Sequence, residues 1–193
     1  MNALLLILAF ALFQPTDTVV FVGDSITAGY YPEIAAKALH TPLYRYAVQG
    51  ARIKRIHKLV DKALARRPTY VVLYAGLNDC ADANSDPYIV FNRLERLVRK
   101  IEFSDSTPVV VKHHGWFGEP KSWHGSACSY LLNSMMESRW EGYIRMVDTR
   151  YLADQEDTLL KEYDAGDGLH LNYRGHKALA EMVVDELRKK GGR

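Results

Sequence analysis

The sequence predicts one α/β domain built on a parallel sheet with helices on both faces, and three observations predict it. The chain has 193 residues, close to the size of a single domain. Five short strand-like runs recur along it: Val19–Val22, Leu43–Ala47, Tyr70–Tyr74, Val109–Val111 and Ile144–Val147. Helical stretches lie between them, as parallel neighbours require, because a parallel pair cannot be closed by a hairpin. Runs that are apolar throughout, rather than alternating, belong to strands buried on both faces. Composition fits this reading: apolar residues make up 48% and charged residues 25%, which excludes a largely disordered chain and a multi-span membrane protein. A net charge of +2 is too small for a binder that works by neutralising phosphates, so no nucleic-acid partner is expected. Two cysteines exclude a disulfide-dense scaffold and a zinc site made mainly of thiolates.

Ala3 to Phe13 is an uncharged apolar run, too short for the roughly 20 residues of a spanning helix but suited to the core of a secretory signal. Residues 1–15 therefore read as a leader and 16–193 as the domain, with a secreted or periplasmic location expected. Membrane contact is expected only through this segment. The alternative is a buried or interfacial first helix in a cytoplasmic protein, broken at Gln14-Pro15-Thr16-Asp17. Ile53, Ile56, Val60 and Leu64 then share one helical face, and Pro68 stops that helix before the third strand. Asp86-Pro87 reads as an N-cap with proline at the first helical position, leading the stripe Val90, Leu94, Leu97 and Ile101. The last helix is capped by Asn172, buries Leu179, Met182, Val183 and Leu187, and ends at Arg188-Lys189 and Gly191.

In an open parallel sheet the ligand crevice lies beyond the carboxyl ends of the strands, so residues just after each strand are where chemistry is sought. Gly23-Asp24-Ser25-Ile26-Thr27 follows the first strand. A serine at such a turn can cap the helix or act as a nucleophile whose neighbouring N–H groups stabilise an oxyanion. No phosphate-loop or dinucleotide glycine pattern is present. Gly50 follows the second strand and Gly76-Leu77-Asn78-Asp79 the third; alone, such residues usually serve turn geometry. Asp167-Gly168-Leu169-His170 precedes the last helix. That spacing lets the carboxylate reach the imidazole, as the acid and base of a Ser-His-Asp triad do.

These four turns together resemble the SGNH hydrolases, also called the GDSL esterases, from about Val19 to the last helix. The resemblance maps the family's serine, glycine, asparagine and histidine onto Ser25, Gly50, Asn78 and His170, and its aspartate onto Asp167. It implies a nucleophile, Ser25, with His170 as base, and an oxyanion hole made by the N–H groups of Ser25 and Gly50 and the Asn78 amide. Asp24 and Asp79 are the candidate supporting groups beside them. It also implies a flavodoxin-like three-layer sandwich with a five-stranded sheet in the order 2-1-3-4-5, and no metal or cofactor. The sequence departs from the family pattern at Ile26-Thr27, at Val48-Gln49-Gly50-Ala51 and at Leu77. No Gly-x-Ser-x-Gly elbow occurs, which argues against the other large class of α/β esterases.

Substrate features are fewer. His113-His114-Gly115-Trp116-Phe117 and Trp123-His124 fall beyond the fourth strand. Trp116, Phe117 and Trp123 are candidates for a pocket that stacks on sugar or holds an acyl group, or they pack the loop. His113, His114 and His124 have the ligand type for zinc, although adjacent histidines diverge in an extended chain. Arg52 to Arg67 carries seven basic residues against Asp61 alone, a solvated helix face or an attraction for anionic surfaces. Cys80 and Cys128, the latter read as ending the aromatic loop, are candidates for a disulfide in an exported chain; Cys80 is the weaker alternative nucleophile. The expected activity is an esterase for O-acetyl or short-chain esters, with a small-molecule or carbohydrate ester as substrate. Lysophospholipase, thioesterase, acyltransferase or a non-catalytic binding module are the alternatives.

Overall fold

The structure, a computed structural model, describes residues 17–82, 84–114, 123–154 and 158–189. The expected leader, Trp116 and Phe117 lie outside these residues, as do the side chains of Trp123 and His124. Five parallel strands, β1 (Val19–Gly23), β2 (Tyr44–Ala47), β3 (Tyr70–Tyr74), β4 (Thr107–Val111) and β5 (Arg145–Val147), form one sheet in the order 2-1-3-4-5. Val20 is in register with Tyr44 on one side and Val71 on the other, Val72 with Val109, and Val110 with Met146.

Alternation along the strands builds two cores. Phe21, Val72, Tyr74, Val109 and Val111 pack on one face against α2 (Tyr31–Ala38) and α7 (Tyr173–Arg188). Val20, Val22, Val71, Leu73 and Val110 pack on the other against α3 (Ile53–Leu64), α5 (Pro87–Glu102) and α6 (Trp123–Trp140). All residues of β1 and β3 are buried, whereas β2 is an edge strand whose Tyr44 and Tyr46 are half-buried and whose Arg45 is exposed.

Helix ends follow the expected chemistry. The Asp86 carboxylate accepts from the Tyr88 N–H at 2.8 Å, and the Asn172 side-chain carbonyl from the Gly175 N–H at 3.0 Å. The expected stripe of α3 is shifted slightly, with Ala63 buried in place of Leu64, which is half-buried. Two features differ more. Helix α2 has no counterpart in the apolar pattern, because beyond Tyr31 and Pro32 at its start it buries only the small Ala35 and Ala36. Cys128 does not end a loop: α6 starts at Trp123, and Leu132, Met136 and Trp140 bury one side of it at helical spacing. Lys54, Arg55, Lys58 and Lys62 are exposed along α3. Arg66, also exposed, covers the edge strand, 4.1 Å above the Tyr44 ring and donating to the Tyr46 hydroxyl at 2.8 Å.

Candidate active site

The carboxyl ends of β1 and β3, the paired strands between which the strand order reverses, carry the first half of the site. Helix α1 (Ser25–Ala28) folds back at once over β1. That return needs glycine at position 23, since a Cβ there would lie 2.3 Å from Thr27 Oγ1 and 2.6 Å from the Tyr74 carbonyl oxygen. Asp24 is fully buried and caps α1, its Oδ1 accepting from the Ile26 N–H at 3.0 Å. The capping role considered for Ser25 therefore falls to Asp24. Ser25, the first residue of α1, keeps its hydroxyl for another partner, and its N–H has no preceding turn to bond.

The other oxygen of Asp24 accepts from the Asn78 amide at 3.0 Å. Asn78 stands on the short helix α4 (Leu77–Cys80), which begins after Gly76 at φ 111°, a left-handed geometry that suits glycine. The Asn78 amide also donates to the Ala51 carbonyl, at a longer 3.3 Å. Asp79 points the other way and holds the start of α3, accepting from the Ile53 N–H at 2.8 Å. Gly50 sits at φ 65° with open space where a side chain would be. Burial pushes the Asp24 carboxyl up to about 7, against the opposing pull of the Ile26 N–H, His170 and Asn78. Burial also raises Asp79, opposed by the Ile53 N–H and by Arg93 and Arg52.

The second half of the site is the loop before α7. His170 Nε2 lies 3.0 Å from Ser25 Oγ, and His170 Nδ1 lies 2.6 Å from Asp167 Oδ2. The other Asp167 oxygen accepts the N–H groups of Leu169 and His170, at 3.0 and 2.7 Å. Burial alone would raise this carboxyl, but the His170 ring and these N–H groups together hold it down at about 2. It is an anion at neutral pH, able to fix the imidazole tautomer and to stabilise an imidazolium.

The structure thus brings together Ser25, Asp167, His170, Asn78 and Asp24, and directs Asp79 to α3. Cys80 and Cys128 are joined in a disulfide with Cα atoms 5.4 Å apart, tying α4 to α6. His113 and His114 do not converge as metal ligands; each ring bonds a different part of the fold. Among the described residues no group of three or more histidines, cysteines or carboxylates could hold a metal ion. Sequence reasoning passed over Asp164, whose Oδ1 gathers the N–H groups of Gly166, Asp167 and Gly168 at 2.8–3.2 Å and shapes the loop. Its signal was the turn-forming run Asp-Ala-Gly-Asp-Gly, where an acid bonding N–H groups two to four residues on is expected.

The model of the GDSL-like lipase/acylhydrolase family matches residues 21–178. No curated protein matches the chain by sequence. Solved structures do match by fold. A GDSL-like lipase from Bacteroides thetaiotaomicron is similar with a TM-score of 0.78 at 18% identity, over 94% of this chain and 92% of that one. A lipase/acylhydrolase from Enterococcus faecalis has a TM-score of 0.76 at 17% identity, over 91% and 97%. The acetyl xylan esterase AlAXEase has a TM-score of 0.70 at 17% identity, over 86% and 98%. At these identities the likeness establishes the shared fold.

Proposed function

The chain belongs to the GDSL-like lipase/acylhydrolase family and is an ester-hydrolysing hydrolase, and from that premise we propose that it is a serine esterase for small acyl groups, with an acyl-enzyme formed on Ser25. The observation that carries this is the continuous line from Asp167 through His170 to Ser25, 2.6 Å and then 3.0 Å. Ser25 Oγ attacks the ester carbonyl while its proton passes to His170 Nε2, and the Asp167 carboxylate holds the imidazolium through Nδ1. The oxyanion is received by the N–H groups of Ser25 and Gly50 and by the Asn78 amide. The hydrogen that now makes the 3.3 Å bond to the Ala51 carbonyl is the one that turns to the oxyanion, while Asp24 keeps the other. His170 returns its proton to the departing alcohol oxygen. Water, deprotonated by the same imidazole, then releases the acid and restores Ser25.

For the alcohol, a carbohydrate is the reading we favour. It is supported by the fold shared with an acetyl xylan esterase, and by Tyr30 and Tyr173, 57% and 64% exposed, whose rings meet edge to face at 5.8 Å. Tyr30 closely follows α1 and Tyr173 is three residues beyond His170, so these rings flank the triad in sequence and offer a stacking surface. The Cys80–Cys128 disulfide supports an oxidising, extracytoplasmic location.

The test is a series of p-nitrophenyl esters from acetyl to palmitoyl run beside acetylated sugars. The expected result is the highest kcat/KM for acetyl, with release of acetate from the sugars. A maximum at long chains overturns the small-acyl reading. Ser25→Ala is expected to lower kcat by at least about 10⁴-fold and to abolish labelling by a fluorophosphonate; near-normal activity in that variant removes the serine mechanism altogether.

A further inference from the structure

Beyond β4 the chain passes through Lys112 into His113 and His114, residues only 3% and 1% exposed. Neither touches Ser25 or His170 among the hydrogen bonds of the site, yet each bonds a backbone carbonyl in a turn that carries a residue of the site. His113 Nε2 lies 3.0 Å from the carbonyl oxygen of Ala75, and its Nδ1 lies 2.9 Å from Ser129 Oγ. His114 Nε2 lies 2.8 Å from the carbonyl oxygen of Leu169, and its Nδ1 lies 3.1 Å from the Tyr74 hydroxyl. A carbonyl can only accept, so both rings carry their hydrogen on Nε2 and accept a hydroxyl hydrogen on Nδ1. Burial keeps them neutral: His113 is pushed down to about 4, and His114 is lowered by the same cause.

The two carbonyls belong to two particular peptides. Ala75 enters the Gly76 turn that begins α4 and presents Asn78. That turn lies against the imidazole, since a Cβ on Gly76 would approach His113 Cε1 to 3.4 Å. Leu169 shares its peptide with His170. The N–H of that peptide is already taken by Asp167 Oδ1 at 2.7 Å, so His114 completes a grip on both of its edges. The chain carrying these rings is itself fixed. The Asn133 side chain bonds both the N–H and the carbonyl of His113, at 2.9 and 2.8 Å. The Lys112 N–H donates to the Val147 carbonyl at 3.1 Å, and Thr149 Oγ1 donates to the Lys112 carbonyl at 3.1 Å.

We propose that His113 and His114 are paired positioning residues: one strand end pins the peptide that leads to Asn78 and the peptide that leads to His170, and so sets the spacing between oxyanion donor and base. This rests on the serine-esterase reading above. Two turns from distant parts of the chain must agree to a fraction of an ångström, and a displacement of about 1 Å can cost about 100-fold in rate. A neutral imidazole with both nitrogens satisfied is a rigid strut for that task, with a length and direction that no aliphatic side chain supplies.

The decisive experiment compares His114 variants on p-nitrophenyl acetate, with fluorophosphonate labelling measured on the same preparations. His114→Phe keeps a ring but loses the donor, and kcat is expected to fall at least about 10-fold with KM within twofold. In His114→Gln the amide nitrogen replaces Nε2, and kcat is expected to stay within about threefold of the parent. Tyr74→Phe is expected to lower kcat several-fold, and to cause no further loss when added to His114→Phe, because both act through one contact. Should His114→Phe not fold, His114→Asn takes its place; its amide falls short of the Leu169 carbonyl, so it is expected to lose about 10-fold where Gln does not. The inference is overturned by kcat within twofold of the parent in His114→Phe, by Gln faring no better than Phe or Asn, or by additive effects of Tyr74→Phe. A parent chain that neither labels nor hydrolyses overturns the esterase reading and this inference with it. A labelled, active parent beside an unimpaired His114→Phe overturns the inference alone.

Discussion

The two halves of the site are held by different physics. Asp24 and Asn78 grow out of β1 and β3, the most deeply buried strands, and their arrangement is backed by core packing: Asp24 is fully buried, Gly23 has no room for a side chain, and α4 is tied to α6 by a disulfide. The loop with Asp167 and His170 is partly exposed and shaped mainly by hydrogen bonds within itself, Asp164 accepting from three N–H groups and Asp167 from two N–H groups and the His170 ring, with His114 bracing it from outside through the Leu169 carbonyl. The Ser25 side is thereby rigid at the expense of sequence freedom. The Asp167–His170 side can vary in packing but not in hydrogen-bonding groups.

That contrast predicts which measurement each side should move. The largest effect is expected from Asp167→Asn on the loop side. The amide oxygen can keep the bonds from the Leu169 and His170 N–H groups, but an N–H₂ then faces His170 Nδ1 and forces the wrong tautomer. Activity should fall by about 10⁴-fold, with the unfolding midpoint barely changed because the side chain is exposed. A large loss of stability in this variant would break the comparison.

On the core side the expected loss is in stability. Replacing Cys80 and Cys128 together by Ser opens a loop of 48 residues, for which loop-closure entropy suggests about 4 kcal/mol. Chemical denaturation of the variant measures this. An unchanged midpoint would mean that packing alone holds α4 in place.

A second stability effect on the core side is a pH dependence from Asp24. Its carboxyl sits near 3.8 in the unfolded chain and about 7 in the folded one. Between those values the folded state binds the extra proton, so this group makes stability fall as pH rises from about 4 to about 7 and level off above. Asp24→Asn removes the titration. The parent should therefore lose stability relative to this variant across that window, and parallel curves from pH 4 to 8 would contradict the burial assigned to Asp24.

Much of this could be read in the sequence wherever the relevant physics is local. Asp167 and His170 are three residues apart, so their contact follows from one turn. The caps Asp86 and Asn172 bond N–H groups two and three residues on. All five strands are found within two residues of their apolar runs. Pairing Ser25 with His170 was different: 145 residues separate them, and it rested on likeness to a family rather than on spacing. Helix α2 is not legible because its buried alanines, Ala35 and Ala36, carry little apolar signal after Tyr31 and Pro32, and the polar start of α6 reads as loop, although Cys128 lies inside the helix.

By itself, then, the sequence determined the alternation of strands and helices, the helix caps and the Asp167–His170 turn, since burial periodicity and short-range hydrogen bonds depend only on near neighbours. Tertiary structure decided that Asp24 rather than Ser25 caps α1, that Asp24 orients Asn78, and that His113 and His114 seek carbonyls 38 and 55 residues away. Every residue carries a carbonyl, so nothing in the chain marks which ones a buried imidazole will meet until the strands have brought them together.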